Sequence, residues 1–314
     1  MKRAFVFPGQ GSQAVGMGQD LAAAFPVARQ VLEEVDEALK QKLSRLMKEG
    51  PEADLTLTEN AQPALMAVSV AVVRVLEAES GRKLPEMASF VAGHSLGEYS
   101  ALCAAGALSL ADTARLLKRR GQAMQRAVPV GVGAMAALLG IELEPAQEAC
   151  KEAAEGQVVA VANDNGGGQV VISGHKEAVD RAIKAAQAKG CKRGMLLPVS
   201  APFHCPLMQP AADEMQEALE SVTLAPPRVP LVANVKAADT SDPQIIASLL
   251  VQQVTGLVRW RESVLFMKGH DVEALVEVGA GKVLSGLVKR IDREMTGTAI
   301  GGPADIEAFL KTVA

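Results

Sequence analysis

Ser95 lies in a pattern that could make a serine hydroxyl reactive. Residues Gly93-His-Ser-Leu-Gly97 fit GxSxG, the sequence of a nucleophile elbow. A serine on a tight strand-to-helix turn projects its hydroxyl away from the backbone, and the helix that follows directs free amides at a reacting carbonyl. A five-residue match also arises by chance. The strand predicted at 87–92 and the small-residue helix predicted at 96–105 favour the catalytic interpretation.

A base must accept the serine proton, and the chain has only four histidines. His94 adjoins the serine, where a neighbour on an elbow faces the other way, so packing is the better interpretation for it. His175 opens a predicted helix, and His270 lies in a polar turn. His204 lies in the apolar loop 200–206, where burial would hold the imidazole neutral. The alternative is a buried histidine with a purely structural role.

The sequence shows no obvious acidic third member for a catalytic triad. A backbone carbonyl could orient the imidazole of His204 instead. We therefore expect a Ser–His dyad, with Ser95 as nucleophile and His204 as base.

Arg120 is a candidate for binding a carboxylate. It lies in a helix predicted from Ser109 to Arg126, with Ser109 and Asp112 as a capping pair. At about 100° per residue, Arg120 lies about 60° from the centre of the apolar face at Leu117. An arginine at that edge needs an anionic partner. The partner is either a structural carboxylate or the free carboxylate of a dicarboxylic substrate, bound through two hydrogen bonds.

Alternating strand and helix patterns predict how these residues are positioned. Buried strands are expected at 3–7, 87–92, 229–233 and 274–278, and a long helix at 63–79. This alternation indicates an α/β fold with a mainly parallel sheet.

Residues 132–197 follow a different order, β-α-β-β-α-β, which is that of a ferredoxin-like unit. A turn is expected at 163–168 between its two central strands. We predict a catalytic domain made of 1–130 and 200–314 and an inserted ferredoxin-like subdomain at 131–199.

Composition excludes several classes of function. The 314 residues are 49% hydrophobic and 22% charged, which is typical of a globular protein. A net charge of −4 provides no positive field for nucleic acid. The four cysteines have no zinc-ligand spacing, and we expect no metal, reduced thiols and a cytoplasmic location. No signal peptide and no uninterrupted membrane-spanning stretch is evident.

Two glycine-rich motifs suggest nucleotide binding but lack its other elements. Gly9-Gln-Gly-Ser-Gln-Ala14 fits GxGxxA, yet 21–47 has a helical pattern where a second strand should end in an acidic residue. Gly279-Ala-Gly-Lys282 lacks the upstream glycine and following hydroxyl of a P-loop, and is interpreted as a packing turn.

Several ordered blocks of the chain resemble the malonyl-coenzyme A:acyl carrier protein transacylases of fatty-acid synthesis. The resemblance extends over almost the whole chain. The matching blocks are 7–13 (FPGQGSQ), 62–65 (QPAL), 93–99 (GHSLGEY), 120–124 (RGQAM), 168–174 (GQVVISG), 202–204 (PFH) and 277–284 (EVGAGKVL).

This resemblance implies an α/β-hydrolase-like domain that carries a ferredoxin-like subdomain. It also implies a ping-pong reaction in which Ser95 takes a malonyl group from malonyl-CoA and passes it to the phosphopantetheine thiol of acyl carrier protein. Coenzyme A thioester is then a substrate and no cofactor is needed. We expect the protein to be a monomer. The implied site residues are His204 as base and acid, Gln10 and Leu96 as backbone amides of the oxyanion hole, Arg120 and Gln62 for substrate binding, and Gln253 as the carbonyl that orients His204.

Other functions share most of these residues. A serine thioesterase or hydrolase for dicarboxylic thioesters would use the same nucleophile and base, and a polyketide-type acyltransferase for malonyl or methylmalonyl groups would also retain Arg120. A non-catalytic binding module would not need a serine on an elbow, a histidine base and a carboxylate-binding arginine together. Carrier proteins of this pathway are acidic, so we expect contacts among Lys189, Lys192, Arg193, Lys289 and Arg290.

Overall fold

The computed structural model describes residues 1–313 and contains two β-sheets, each packed against helices. The strands are β1 (Arg3–Phe7), β2 (Phe90–Gly93), β3 (Gly133–Leu139), β4 (Val159–Gly166), β5 (Gln169–His175), β6 (Arg193–Leu196), β7 (Leu231–Ala233), β8 (Ala238–Thr240), β9 (Ala274–Val278) and β10 (Thr296–Ile300). The larger sheet has the order β10-β9-β1-β2-β7-β8, and the smaller has the order β4-β5-β3-β6.

The helices surround both sheets. They are α1 (Gln19–Ala24), α2 (Pro26–Leu39), α3 (Leu43–Glu49), α4 (Glu52–Thr56), α5 (Thr58–Ser80), α6 (Leu84–Met87), α7 (Gly97–Ala104), α8 (Leu110–Arg126), α9 (Leu143–Ala153), α10 (Lys176–Ala188), α11 (Gln209–Glu220), α12 (Pro243–Thr255), α13 (Trp260–Gly269), α14 (Val283–Ile291) and α15 (Pro303–Leu310). A short 3₁₀ turn, Pro206–Met208, precedes α11.

The larger sheet is mainly parallel, as predicted. All of its neighbouring strands are parallel except β7 and β8, which form an antiparallel pair. The central strands are apolar and buried because helices cover both faces of such a sheet. Phe7 at the end of β1 pairs with Gly93 at the end of β2. The two loops that follow these residues therefore start side by side, at the edge where ligands bind in parallel sheets.

The helix α5 forms the centre of the larger core. It begins at Thr58, five residues before the predicted start at Pro63, because the amides of Asn60 and Ala61 already donate to the carbonyl of Leu57. By length and composition α5 could cross a membrane, but 83% of its most apolar window is buried inside the structure. Such burial is typical of a core helix.

The smaller sheet confirms the ferredoxin-like order. Its strands and helices alternate as β3-α9-β4-β5-α10-β6, and every neighbouring pair of strands is antiparallel. These elements lie between Gly133 and Leu196, inside the proposed subdomain 131–199. The division of the chain at those boundaries remains a prediction.

Two local predictions were wrong. The polar residues of the turn expected at 163–168 instead continue β4 to Gly166, because their side chains are buried by contacts outside the hairpin. The strand expected at 87–92 starts at Phe90, since Pro85 and Glu86 form a helical turn in which the Glu86 side chain accepts from the amide of Lys83.

Candidate active site

The turn between β2 and α7 holds Ser95 in a strained conformation. Its φ is 54°, in the left-handed region that non-glycine residues rarely adopt. A Cβ added at Gly93 would lie 1.9 Å from the carbonyl carbon of Gly97, and one at Gly97 would lie 2.3 Å from the oxygen of Phe7. Only glycine fits at either position, so the turn has the tight geometry expected of a nucleophile elbow.

His204 contacts the hydroxyl of Ser95 across 109 residues of sequence. The Ser95 Oγ lies 2.8 Å from His204 Nε2, and His204 Nδ1 lies 2.9 Å from the carbonyl oxygen of Gln253. The carbonyl can only accept, so Nδ1 carries the proton and Nε2 is the acceptor for the serine hydroxyl. The structure thus brings together the two residues expected to form the dyad, whose catalytic role remains a prediction.

The environment of His204 keeps its imidazole neutral. Only 4% of the residue is exposed. Burial, together with the positive charge of Arg120, lowers the pKa of His204 from 6.5 to about 3. The ring is therefore able to accept a proton throughout the neutral range.

The rate of serine acylation should consequently show no loss near pH 6.5. A folded-state pKa of about 3 means that His204 stays unprotonated in the native protein as the pH falls from 7 to about 5. Rapid-quench acylation rates from pH 5 to 8 test this expectation, and a loss of rate centred near pH 6.5 would contradict it.

The same pKa shift affects stability. The unfolded chain binds a proton at His204 below pH 6.5, so this group makes the stability of the native state fall with decreasing pH between about 6.5 and 3.

The backbone amides of Gln10 and Leu96 are free to bind an oxyanion. Neither N–H donates a hydrogen bond to another group within residues 1–313, and both residues line the same cavity as Ser95. Gln10 is held by its side chain, whose Nε2 lies 3.4 Å from Thr58 Oγ1. Two unpaired donors beside a candidate nucleophile could serve as an oxyanion hole.

Arg120 is 1% exposed and is bound only by neutral groups. Its Nη1 donates to Gln62 Oε1 at 2.9 Å, and its Nη2 donates to Gln253 Oε1 at 2.8 Å and to Ser95 Oγ at 3.1 Å. Its Nε has no hydrogen-bond partner in the described structure. Across residues 1–313, no carboxylate forms an ion pair with this guanidinium.

Glu98 is the nearby acid that could have been the structural partner of Arg120, but its oxygens bond elsewhere. Its Oε1 accepts from the amide of Asn234 at 2.8 Å, and its Oε2 contacts the side-chain amide of Gln253. Burial raises the pKa of the Glu98 carboxyl to about 8. Both oxygens of Glu98 are thus occupied by amide groups, and neither bonds the guanidinium of Arg120.

A cavity of about 530 Å³ joins these groups. It contains Ser95, His204, Arg120 and Gln62, together with loop 9–13 and side chains of the smaller sheet. From that sheet Asn163 and Asn165 reach the cavity, and Asn165 Oδ1 lies 2.9 Å from His94 Nε2. His94 is thus held by this bond and by its ring contact with Trp260 rather than facing Ser95's hydroxyl.

The remaining motifs of the sequence do not add chemistry to this cavity. The imidazole of His175 accepts from the amide of Val158, and that of His270 lies against the carbonyl of Phe266. Gly281 packs against Ser12 and Gly279 against Ser69, so their turn supports loop 9–13 rather than the elbow. In the part of the chain described, no group of three His, Cys, Asp or Glu residues could hold a metal ion. All four cysteines are free.

Sequence reasoning missed Asn234, Glu98, Asn163 and Asn165 as residues around the site. Glu98 could have been noticed, because it is an acidic residue in the first turn of a helix that must be buried. Asn163 and Asn165 lie within β4 and Asn234 directly follows β7, and the proximity of these strands to the elbow is set only by the three-dimensional fold.

The fold and the serine–histidine arrangement together define the class of serine-dependent acyl-transfer enzymes. A family model described as acyl transferase domain matches residues 4–299. The malonyl CoA-acyl carrier protein transacylase of Escherichia coli (strain K12) is 49% identical over 308 residues, which cover 98% of each chain. The chain belongs to the malonyl CoA-acyl carrier protein transacylase family.

Solved structures agree with this assignment. The acyl-carrier-protein-S-malonyltransferase from Bartonella henselae is 56% identical, with a TM-score of 0.97 over 100% of this chain and 99% of that one. A malonyl-transacylase in complex with a type II PKS acyl-carrier protein is 45% identical, with a TM-score of 0.96 over 99% of this chain and 100% of that one. The similarity therefore extends over both sheets.

Proposed function

We propose that this protein transfers a malonyl group from malonyl-CoA to the phosphopantetheine thiol of an acyl carrier protein. The observation that carries the proposal is Arg120, a buried cation with only neutral partners, 3.1 Å from the hydroxyl of Ser95. A carboxylate held there would lie beside the nucleophile, which is where the free end of a malonyl thioester has to be. An acyl group without a carboxylate would leave the guanidinium buried and unpaired.

In the acylation step, Ser95 Oγ attacks the thioester carbonyl and gives its proton to His204 Nε2. The Gln10 and Leu96 amides stabilise the oxyanion, at about 2.7–4 kcal/mol per donor. The intermediate collapses as the carbon–sulfur bond breaks, and His204 returns the proton to the departing coenzyme A sulfur. The products are malonyl-Ser95 and free coenzyme A.

The second step repeats the first with a different thiol. The phosphopantetheine thiol gives its proton to His204 and attacks the malonyl ester of Ser95. His204 then protonates Ser95 Oγ as the ester bond breaks, which regenerates the enzyme. No cofactor takes part in this scheme, and the carbonyl of Gln253 holds the proton on Nδ1 throughout.

Arg120 affects the base as well as the substrate. Its charge contributes to the low pKa of His204, which opposes formation of the imidazolium during each attack. A malonyl carboxylate paired with Arg120 neutralises that charge, so binding of the correct acyl group makes His204 a stronger base. Gln62 holds the guanidinium for this pairing through its 2.9 Å hydrogen bond to Nη1.

Transfer and hydrolysis differ only in the acceptor of the acyl group. We would incubate the protein with malonyl-CoA, with and without phosphopantetheinylated carrier protein, and measure malonyl-carrier and free malonate. The proposal predicts fast malonyl-carrier formation and slow release of malonate. Equally rapid malonate release in both samples would identify a hydrolase, and equal use of methylmalonyl-CoA would favour the polyketide-type alternative.

The carrier protein is proposed to dock near the last turn of α14. The first turn of this helix, Val283 and Leu284, lines the cavity, and Lys289 and Arg290 lie exposed at its other end. Lys192 and Arg193 are also exposed, without an ion pair in the described residues. Lys189 forms ion pairs with Glu148 and Glu152, so the proposed docking site does not include it.

Replacing Lys289 and Arg290 together by alanine should raise the KM for carrier protein several-fold at low salt. The effect should shrink at high salt because exposed charges are screened. The rate of acylation by malonyl-CoA is expected to stay unchanged. Lys151→Ala, which removes an exposed, unpaired lysine on α9, is the matched control. An unchanged KM for the carrier in the double variant would contradict this docking site.

The proposed setting is the cytoplasm. Four free thiols fit a reducing compartment, and a net charge of −4 fits neither nucleic acid nor an anionic membrane as partner. We propose that the protein acts there as a monomer, with malonyl-CoA and the carrier protein as its partners.

A further inference from the structure

Asn234 is a fully buried polar residue that none of the proposed chemical steps uses. It directly follows β7, which pairs with β2 through Val91 with Leu231 and Ala92 with Val232. The parallel pairing places Asn234 beside the residues that leave β2. These residues are the elbow itself.

The side chain of Asn234 bonds the backbone on both sides of His94, in the first part of the strained turn. Its Nδ2 donates to the carbonyl oxygen of Gly93 at 2.7 Å, and its Oδ1 accepts from the amide of Ser95 at 2.9 Å. A carboxamide carries a donor and an acceptor on one rigid plane, so it can satisfy both backbone groups at once. These hydrogen bonds hold the backbone of Ser95. Its φ of 54° is strained and persists only if the surrounding structure stabilises it.

Asn234 is in turn fixed by its own backbone. Its amide donates to Glu98 Oε1 at 2.8 Å, and its carbonyl accepts from the amide of Arg259 at 3.1 Å. Its Oδ1 also lies 3.3 Å from the side-chain amide of Gln253. Asn234 does not line the cavity and makes no hydrogen bond to Arg120 or His204. Its two shorter side-chain hydrogen bonds go to the backbone of the elbow, and only the longer contact with Gln253 leads toward His204 and Arg120.

We propose that Asn234 is the positioning residue that holds Ser95 in its reactive conformation. The inference rests on the proposed role of Ser95 as nucleophile. Without the carboxamide, Ser95 can relax toward negative φ, and its Oγ then moves away from His204 Nε2. Acylation slows, while binding of the malonyl carboxylate at Arg120 is retained.

The test is single-turnover acylation of Asn234→Ala by malonyl-CoA. We expect the maximal rate to fall about 10²-fold, the effect of a shift of about 1 Å at the reacting atoms. The malonyl-CoA concentration that gives half the maximal rate should change little. Labelling of Ser95 by a fluorophosphonate, which does not need Arg120, should slow in parallel.

Asn60→Ala is the matched control, because Asn60 is also buried and hydrogen-bonded, to Asp54, Gln41 and Lys118. It should lower the thermal midpoint without slowing acylation. If Asn234→Ala does not fold, Asn234→Asp is measured in its place. It keeps the acceptor for Ser95 but, as a carboxylate, loses the donor to Gly93, so its maximal rate should also fall.

Two results would overturn the inference. One is that the folded Asn234 variant is acylated at the wild-type maximal rate. The other is that the variant keeps this maximal rate but needs a higher malonyl-CoA concentration to reach half of it. A wild-type protein that forms no malonyl-serine at all would instead overturn the proposed function, which is a separate outcome.

Discussion

Ser95→Ala is expected to lower malonyl transfer by at least about 10⁴-fold, the scale seen when a nucleophile of this kind is removed. The reason is that the free amides of Gln10 and Leu96 and the cation of Arg120 bind substrate groups but cannot form the covalent intermediate. Binding of malonyl-CoA should persist, since these groups are untouched. Initial transfer rates and calorimetric binding measure the two quantities separately.

Ser100→Ala provides the matched control for this variant. Ser100 is fully buried in α7, and its hydroxyl has no hydrogen-bond partner in the described residues. Its removal should leave transfer unchanged. Substantial transfer by the Ser95 variant would show that another residue carries the acyl group.

Arg120→Ala should weaken the use of malonyl-CoA and relax the exclusion of acetyl groups. Malonyl-CoA loses a charge-assisted pairing of about 3 kcal/mol, which corresponds to a fall in kcat/KM of about 10²-fold. The kcat/KM for acetyl-CoA should rise about tenfold, because the wild-type site leaves a buried guanidinium without an anionic partner when an acetyl group binds. Values of kcat/KM for both donors provide the measurement.

The acetyl measurement also separates specificity from damage to the nucleophile. Arg120 donates to Ser95 Oγ, so a general loss of serine reactivity would lower both rates together. Arg119→Ala is the control, because this neighbouring arginine is 40% exposed and pairs with Glu214 on the surface. If the Arg120 variant kept its preference for malonyl over acetyl, the carboxylate would have to bind elsewhere.

Local patterns point to the residues that the structure brings together around Ser95. The elbow is a contiguous motif, and His204 was selected from four histidines by its apolar, proline-containing loop. Arg120 was identified from its angle on α8, and its burial in the structure follows that angle. The strand β9 has the predicted bounds 274–278, because four of its five residues are apolar and Gly279 follows it directly.

Predictions failed where burial depends on distant parts of the chain. Asn163, Asp164 and Asn165 have the composition of a turn, but Asp164 is buried by its ion pair with Arg261, 97 residues away. The edge strand β10 was not predicted because it is mostly exposed and lacks an apolar run. The contact between Asn234 and the elbow depends on the pairing of β2 with β7, which no local pattern encodes.

Burial determines which groups of the site can bind the substrate and the proton. His204 remains unprotonated because it is buried beside a cation. Both oxygens of the buried Glu98 are occupied by the amides of Asn234 and Gln253, so neither bonds the guanidinium of Arg120. The site thus offers a cation without a bonded carboxylate to the substrate and a neutral base to the serine.

The most direct measurement is peptide mapping by mass spectrometry after brief exposure of the wild-type protein to malonyl-CoA. The account predicts one malonyl group on the peptide that contains Ser95, retained in acid and discharged rapidly when phosphopantetheinylated carrier protein is added. The account is contradicted by an unmodified Ser95 peptide, or by an adduct that disappears equally fast with and without the carrier.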